Sequence, residues 1–462
     1  MNLTVPLAIL WIGALALAPM DGRRRWVGAF GLVILAAALV ALLAVSREVL
    51  TRGVLQVIAG GWPEGVGIRL RLDALGIAFA LTSLVVVLVA YGYEFAGGVT
   101  SRSFPALAVF LAAGLVGVFF TGDAFNFYVF FEISMVSSYV LTAYGEERRQ
   151  LRAAVIFAVV NLLGSVIFLI AIVSLYHVTG TLDMELMARR MPIVEQNPSL
   201  VAGTLLFVAL CVKLGIFPFH FWLPAVYTGV HPSVAAMLSG ALATIGAYGF
   251  LRFGAGMLPR ELDVAGSALI TLGVASVLYG GIQAIARHRP AEVVSYSAIG
   301  QVGYILIALA VGGPVGYAAA ILFSILNSVN KTLLFLAGDL TNRYAGIAYA
   351  IGGLSVAGIP LAAGFWGKTA LIRAGFAADS LPMRALLVGT VVLGGFLSVI
   401  YMFQSYGRSF WLVGAGPATK AQVIQTGIAL ALGIAAVTIG IWPEPLLALS
   451  AQAAAALGGA RP

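Results

Sequence analysis

The sequence predicts an all-α polytopic membrane protein with about fourteen transmembrane helices, and two observations support that prediction. Of the 462 residues, 61% are hydrophobic and only 10% are charged, and the mean hydropathy is +1.03. A soluble protein has about 25% charged residues, which cover its surface in water. Apolar stretches of about 20 residues, enough to cross a bilayer, also follow one another along nearly the whole chain. The composition therefore excludes a soluble enzyme, a nucleic-acid-binding protein and a disordered chain, and we expect one integral membrane domain over residues 1–462.

The positions of the apolar stretches define the spans. No basic segment precedes the first stretch and three arginines follow it, so we expect a retained span and not a cleaved signal peptide. Two connections are longer than the rest: residues 47–71 are expected to hold a short hairpin and residues 179–199 a surface helix. The predicted spans are 3–20, 26–46, 72–95, 104–122, 124–144, 152–178, 200–226, 233–254, 263–285, 291–312, 314–338, 350–377, 384–408 and 423–447.

The positions of the basic residues indicate the orientation in the membrane. With both termini outside, inner and outer segments carry nearly equal numbers of arginine and lysine. The dense clusters at 23–25 and 148–152 then lie in short inner loops, which weigh most in setting topology. We therefore expect a multi-pass protein of the cytoplasmic membrane, surrounded by lipid bilayer, with both termini outside.

Two of the predicted spans are interrupted by proline. Pro218 lies in the seventh span and Pro360 in the twelfth. Proline lacks the N–H that a helix interior needs, so each span is expected to break there. Broken helices in corresponding halves of a membrane protein are typical of a transport site built on structural repeats. We expect two inverted five-helix repeats, at about 104–254 and 263–408, each with one broken helix.

Lysine is scarce, since only four of the 26 basic residues are lysine. Lys213, Lys331 and Lys368 lie within apolar spans, whereas Lys420 lies in a loop. An ionisable side chain at mid-span costs roughly 2.5–3.5 kcal/mol and so needs a partner or a task. Buried lysine can release its proton, which arginine cannot. The three lysines are therefore predicted to transfer protons; the alternatives are a structural ion pair for Lys213 and snorkelling to the interface for the other two.

Glu132 is the matching acidic residue, in the middle of the fifth span among aromatic residues. We interpret it as a carboxylate that exchanges protons in coupling to Lys213; the alternative is a structural ion pair. Tyr128 and Asn327 each lie one helical turn before an ionisable residue and are placed to assist Glu132 and Lys331.

The remaining polar residues support further predictions. His220 and His231 flank the end of the seventh span and are either proton relays or structural histidines. Asp73 is expected in the N-cap region of the third span. A single cysteine and the lack of nucleotide-binding or zinc-protease motifs predict no catalytic residue, cofactor, metal, redox or hydrolytic site. Solvated caps are expected from the acidic residues at span ends, which are Glu94, Asp123, Glu292 and Asp339.

Taken together, these residues resemble the antiporter-like proton-translocating membrane subunits. That family includes the D component of multisubunit Mrp Na⁺/H⁺ antiporters and the large membrane subunits of respiratory complex I and membrane hydrogenases. The segment Gly60–Gly67, with Asp73, is more similar to the Mrp component. The motifs that carry the resemblance are Phe130-Phe-Glu132, Lys213-Leu-Gly-Ile-Phe-Pro218-Phe-His-Phe-Trp222-Leu-Pro224, Val294-Ser-Tyr-Ser297-Ala-Ile-Gly-Gln301-Val-Gly-Tyr304, Asn330-Lys331-Thr-Leu-Leu-Phe335 and Gly364-Phe-Trp-Gly-Lys368.

The resemblance implies a proton-translocating subunit of an Mrp-type Na⁺/H⁺ antiporter, with other membrane subunits as partners. It implies that Glu132 and Lys213 form a coupled pair in one half-channel, that Lys331 is the central group of a second, and that Lys368 is its outlet. Two positions depart from the family pattern. Thr244 stands where the family commonly has a lysine or histidine, and Asn327 stands where many relatives have a histidine.

Two other functions remain open at the level of sequence. The same proton machinery is used by pumping subunits of NADH:quinone oxidoreductase and membrane-bound hydrogenase, where neighbouring subunits hold the redox groups. The second open function is that of a scaffold subunit whose proton channel has decayed, for example within a membrane complex for inorganic-carbon uptake. Thr244, which cannot carry a proton charge, is the residue that favours the scaffold.

Overall fold

The computed structural model describes residues 3–63, 66–378, 380–411 and 419–458. Helices dominate these ranges. They are α1 (Val5–Leu17), α2 (Arg25–Arg52), α3 (Ala74–Gly97), α4 (Phe104–Phe120), α5 (Ala124–Thr142), α6 (Arg148–Thr179), α7 (Met184–Arg190), α8 (Gln196–Leu214), α9 (Trp222–Gly229), α10 (Pro232–Ala255), α11 (Pro259–Ile285), α12 (Pro290–Val311), α13 (Gly313–Gly338), α14 (Arg343–Ala357), α15 (Ala363–Phe376), α16 (Leu381–Phe410), α17 (Lys420–Ile441) and α18 (Glu444–Gly458).

The length and hydropathy of these helices confirm a polytopic helical membrane protein. In the described ranges, eleven helical segments are long and apolar enough to cross a bilayer, and α1 and α4 are shorter apolar helices. The predicted twelfth span is two shorter helices, because α14 ends at Ala357, Gly358 adopts φ 80°, and α15 begins only at Ala363. The described ranges therefore do not confirm fourteen long spans, because α1 and α4 are short and the twelfth span is divided.

The two long connections fold as expected and meet at one end of the helix bundle. Strand β1 (Leu55–Ile58) pairs antiparallel with β2 (Arg69–Leu72), which confirms the hairpin, and α7 is the surface helix. The Arg69 guanidinium lies 2.7 Å from Asp183, the N-cap residue of α7, and donates to Glu185 at 3.1 Å. These ion pairs hold the hairpin against α7.

The seventh predicted span is broken between α8 and α9. Helix α8 ends at Leu214, Gly215 adopts the left-handed conformation at φ 65°, and a short 3₁₀ turn leads into α9 at Trp222. A helix end leaves carbonyl groups without partners. Trp222 supplies one of the missing donors, because its indole N–H donates to the carbonyl of Val212 at 3.1 Å. The break is thus stabilised from within the same span.

Helices α11 and α12 approach closely through glycine. A Cβ atom at Gly273 would lie 2.8 Å from the carbonyl oxygen of Gly303, and one at Gly280 would lie 2.8 Å from that of Tyr296. Small residues let membrane helices pack backbone against backbone where there is no water to drive association. The close packing of α11 against α12 fixes the position of α12 and of its polar side chains.

Candidate functional site

Lys213 lies one residue before the end of α8 and its ammonium group binds to α6. It donates to the carbonyl of Asn161 and to the hydroxyl of Ser165, both at 2.7 Å. The Asn161 and Ser165 side chains are buried and lie one turn apart on the same face of α6. The ammonium group also lies 4.3 Å from the centre of the Phe131 ring, a cation–π distance. Lys213 is therefore held by a carbonyl, a hydroxyl and an aromatic ring.

Glu132 follows Phe131 in α5 and lies near Lys213 without touching it. In the described part of the chain, no ion pair within 4.0 Å joins the two, and Oε1 of Glu132 is buried without a hydrogen-bond partner. The expected hydrogen bond from Tyr128 is also missing; instead Tyr128 stacks on Phe168 at 6.3 Å. The carboxylate thus keeps one buried oxygen free to accept a proton.

A cavity of about 20 Å³ lies beside the Lys213 ammonium. Its walls include Phe131, Asn161, Lys213, Trp222 and Tyr227. A single water needs roughly 10–15 Å³ of such space and two or more polar partners. The cavity is therefore large enough for one water next to the amine, which could carry a proton between Lys213 and its surroundings.

Lys331 repeats this arrangement in the second half of the chain. Its side chain is completely buried, and its ammonium donates to the Ser297 hydroxyl at 2.9 Å and to the Val294 carbonyl at 3.3 Å. As at Lys213, a carbonyl and a serine hydroxyl about one turn later on a neighbouring helix receive the ammonium group. Asn327 does not bind Lys331, and its Oδ1 is buried without a partner.

A chain of hydroxyl groups leads away from Lys331. The Ser297 hydroxyl lies 3.0 Å from that of Tyr401 in α16, and Tyr401 in turn donates to Ser398 at 3.0 Å. The Gln301 amide reaches the same tyrosine at 3.4 Å. Hydroxyl groups both donate and accept, so such a chain can pass a proton by exchanging its hydrogen bonds.

Lys368 lies in α15, directly after the second break. It is 7% exposed, and its ammonium donates to the carbonyl of Ala357 at 3.0 Å. Ala357 is the last residue of α14, and a helix C-terminus carries partial negative charge and unpaired carbonyls. The break that begins at Gly358 therefore supplies the acceptor for Lys368.

Thr244 lies between the two lysine sites along the chain, in a span of irregular helix. Its hydroxyl donates to the Ala241 carbonyl at 2.6 Å and lies 3.0 Å from the Ser83 hydroxyl. Helix α10 contains π-helical segments at Met237–Leu242 and Phe250–Ala255, a form that is frequent at functional sites. Thr244 can pass a hydrogen bond but cannot hold a proton charge.

A buried carboxylate at one end of the bundle corrects an expectation. Glu94 is not the solvated cap that its position at a span end predicts: it is 3% exposed, because His231 covers it at 2.8 Å. The hydroxyls of Tyr144 and Ser233 donate to the same carboxylate at 2.6 and 2.7 Å. His231 thus closes an ion-pair cluster, whereas His220 stacks on Phe217 and lies tilted against Tyr279, with 5.5 and 4.3 Å between the ring centres.

The charge on His231 depends on pH. Burial alone would lower the pKa of its imidazole, but the hydrogen bond to Glu94 and the negative charge there outweigh burial and raise that pKa above its ordinary 6.5. A raised histidine pKa stabilises the fold fully below pH 6.5, and the contribution is lost as pH rises through the folded-state pKa.

We therefore predict that His231→Gln lowers the thermal unfolding midpoint at pH 6 and has less effect at pH 9. The measurement is thermal unfolding in detergent at both pH values. The exposed His288 serves as a control, since His288→Gln is expected to change the midpoint equally little at each pH. An equal loss at pH 6 and pH 9 for His231→Gln would show that the imidazole charge is not what stabilises the cluster.

The opposite end of the bundle is held by a buried ion pair. Arg252 in α10 donates to both carboxylate oxygens of Asp73 at 2.7 and 2.8 Å, and to the Tyr248 hydroxyl. Asp73 also caps α3 by accepting from the Gly76 N–H, as expected. Burial disfavours the charged carboxylate, but Arg252 outweighs it and lowers the pKa of Asp73 to about 2.

Residues 121–394, more than half of the chain, match the family model described as NADH:quinone oxidoreductase/Mrp antiporter, transmembrane. The D component of the Na⁺/H⁺ antiporter of Bacillus subtilis is 31% identical over 387 residues, which is 79% of this chain and 78% of that protein. The chain belongs to this family.

Solved structures share the fold of this family member. A chain of the Mrp complex from Dietzia sp. DQ12-45-1b superposes with a TM-score of 0.90 at 24% identity, covering 99% of this chain and 98% of that one. A chain of the membrane-bound sulfane sulfur reductase, an archaeal respiratory membrane complex, gives a TM-score of 0.89 at 24% identity, with 98% and 97% covered. At this identity the likeness concerns the fold.

The roles of three polar residues were not predicted from sequence. Ser165 and Ser297 receive the ammonium groups, and Tyr401 extends the second site. Ser297 lies in a motif that carries the family resemblance, but no role was assigned to it. A sequence signal existed for Ser165, because Asn161 and Ser165 form a polar pair one turn apart within an apolar span. Tyr401 comes from a helix distant in sequence and had no such signal.

Proposed function

We propose that this family member is a proton-translocating integral membrane subunit of a multisubunit Na⁺/H⁺ antiporter of the Mrp D type. The observation that carries the proposal is the repeated lysine site, in which a buried or half-buried ammonium donates to a carbonyl and a serine hydroxyl of a neighbouring helix. The full burial of Lys331 without a carboxylate within 4.0 Å, among the described residues, supports an amine that releases its proton.

The two half-channels follow from these sites. In the first, Glu132 and Lys213 exchange a proton, and the water-sized cavity beside the Lys213 amine gives that amine a second route for its proton. In the second, Lys331 passes it into the hydroxyl chain of Ser297 and Tyr401, and Lys368 serves as the outlet. Thr244, whose hydroxyl bonds to Ser83 and to the Ala241 carbonyl, holds no proton charge, so no proton is stored at that position between Lys213 and Lys331.

We further propose how the chain is arranged in the membrane. The chain forms one domain with fourteen spans, which include the short helices α1 and α4 and the pair α14 and α15 counted as one broken span. Two inverted five-helix repeats, at about 104–254 and 263–408, each contain one break. Both termini lie outside the cytoplasmic membrane, and the partners are lipid, protons, Na⁺ and other membrane subunits of the complex.

The proposal is tested in everted membrane vesicles from cells that produce the complex with or without this chain. A proton gradient is established, NaCl is added, and the collapse of the gradient is followed with a pH-sensitive dye. We expect Na⁺-dependent collapse only when the chain is present. A different result would indicate a subunit of a redox pump. In that case a respiratory donor would build the proton gradient only when this chain is present, and NaCl would not collapse the gradient.

The serine beside Lys331 provides a milder test of the second site. Ser297→Ala removes one of the two acceptors of a charged donor, a contact worth about 1.5–3 kcal/mol, so exchange is expected to fall roughly tenfold. Initial rates of Na⁺-driven proton movement measure the effect. Ser295→Ala is the matched control. Ser295 lies on the same helix, and its hydroxyl donates to the backbone carbonyl of Ala291 in that helix. Equal rates in the two variants would contradict the role of Ser297.

A further inference from the structure

A second polar cavity lies away from the lysine sites, between α9, α11 and α12. It is an open cleft of about 440 Å³ at the point where α11 ends and α12 begins. A single water needs roughly 10–15 Å³ of such space, so the cleft can hold a molecule much larger than a few ordered waters. The side chains that matter for its chemistry are His220, Phe221, Tyr279, Arg287, Glu292 and Tyr296.

One residue that lines this cavity has a buried polar atom without a partner, Nε of Arg287. Buried polar atoms in folded proteins are nearly always hydrogen-bonded, and an exception often marks the place of a water, an ion or a ligand. Arg287 therefore keeps capacity to bind a polar group, whereas His220 is engaged by the backbone of Pro218.

The charges of the cavity are opposite but do not pair. Arg287 donates to Gln283 at 2.8 Å and lies 4.4 Å from the Tyr296 ring, and Glu292 accepts from the backbone of Arg289 at 3.4 Å. Among the residues that the structure describes, no contact within 4.0 Å links the Arg287 guanidinium to the Glu292 carboxylate. A ligand that carries both a negative and a positive group would satisfy both side chains.

The location favours a ligand from the membrane. Phe221 is 63% exposed beside the cavity and Ile282 of α11 is 58% exposed, so apolar surface continues from the polar rim along the spans. Tyr279 and Tyr296 add aromatic rings near the helix ends, which is typical of the membrane–water interface. An amphipathic molecule with its head in the cavity and its tail along Phe221 fits this pattern.

We propose that the cavity binds the headgroup of a phospholipid that carries both a phosphate and a primary ammonium group, as phosphatidylethanolamine does. Arg287 binds the phosphate, since a guanidinium matches phosphate oxygens in a planar, two-bond geometry. Glu292 accepts hydrogen bonds from the ammonium, and Tyr296 holds Arg287 in place. This site stands independently of the proposed antiport.

The experiment is native mass spectrometry of the purified, delipidated protein in its complex, with defined lipids added back. We expect one molecule of phosphatidylethanolamine to stay bound under conditions that remove phosphatidylcholine and phosphatidylglycerol. Arg287→Ala should reduce this retention about tenfold. Glu292→Gln, which preserves shape, should make ethanolamine and choline lipids equal. Arg260→Ala, at the other end of α11, is the matched control and should retain the lipid.

Three outcomes would overturn the proposal. One is equal retention of the lipid by the native protein and by both Arg287→Ala and Glu292→Gln. Another is retention of phosphatidylglycerol as strong as that of phosphatidylethanolamine, which would indicate a simple anion site. The third is displacement of the lipid by inorganic phosphate at millimolar concentration, which would indicate a site for free phosphate. Displacement of the bound lipid only by another ethanolamine lipid would support the proposal.

Discussion

Replacement of Lys213 by alanine is expected to lower Na⁺/H⁺ exchange by roughly a hundredfold or more, as the loss of a positioned proton-transfer group does. The alanine cannot carry a proton, and it leaves the Asn161 carbonyl and the Ser165 hydroxyl without the ammonium that they bind. Glu132 then has no amine with which to exchange. Initial exchange rates in everted vesicles, normalised to the amount of assembled complex, measure the effect.

Lys213→Arg separates proton transfer from a merely positive charge. Arginine keeps the charge and can donate to the same two oxygens, but it does not release its proton. We expect exchange to be lost in this variant as well. Lys420→Ala is the matched control, since Lys420 is exposed at the start of α17. Exchange at the normal rate in Lys213→Arg would mean that Lys213 serves only as a fixed charge.

Removal of Arg252 is expected to cause the largest loss of stability. Arg252→Met removes the two-bond partner of the buried Asp73 carboxylate and leaves only Arg71, whose Nε lies 3.6 Å from it. Breaking a buried pair from one side costs about 3–5 kcal/mol, and the remaining Arg71 places the expected loss at the lower end of that range. The Tyr248 hydroxyl also loses its donor. The thermal unfolding midpoint of the purified protein in detergent should fall markedly, and less complex should assemble.

The double variant Asp73→Asn with Arg252→Met tests the cause of that loss. Asparagine removes the buried charge that has lost Arg252 and can still accept from Gly76 to cap α3, so most of the stability should return. A double variant as unstable as Arg252→Met alone would show that lost packing, and not the buried charge, is responsible.

The same pair predicts an acid limit for stability. The pKa of Asp73 is about 2 in the folded protein against an ordinary value of 3.8. A lowered carboxyl pKa stabilises the fold above pH 4, and this contribution is lost as pH falls from about 4 towards 2. The difference in unfolding midpoint between the native protein and the double variant should therefore shrink over that interval. A constant difference would contradict the ion pair's role.

Much of the candidate site follows from sequence because charge inside a membrane is costly. Lys213, Lys331 and Lys368 stand out as the few basic residues within apolar spans, and Pro218 and Pro360 mark regions where helices end. These features are local in sequence. The hairpin and the surface helix α7 were predictable for the same reason, since each is set by its own polar and turn-forming residues.

The partners of these residues were not predictable, because they come from helices far apart in the chain. Arg252 and Asp73 are 179 residues apart, and neither sequence neighbourhood reveals the other. The prediction of a solvated Glu94 is wrong, because the helix packing that brings His231 over it is a tertiary effect. The irregular helix around Thr244 likewise results from packing, since its sequence resembles an ordinary apolar span.

The most direct test reconstitutes the purified complex into liposomes without any electron donor and records Na⁺ uptake and proton release together. Lys213, Lys331 and Lys368 are changed to glutamine in one variant, and assembly is verified by native mass spectrometry. If these side chains carry the exchanged protons, a Na⁺ pulse releases protons from the native complex and none from the assembled variant. Proton release at the native rate from that variant would contradict the proposed pathway.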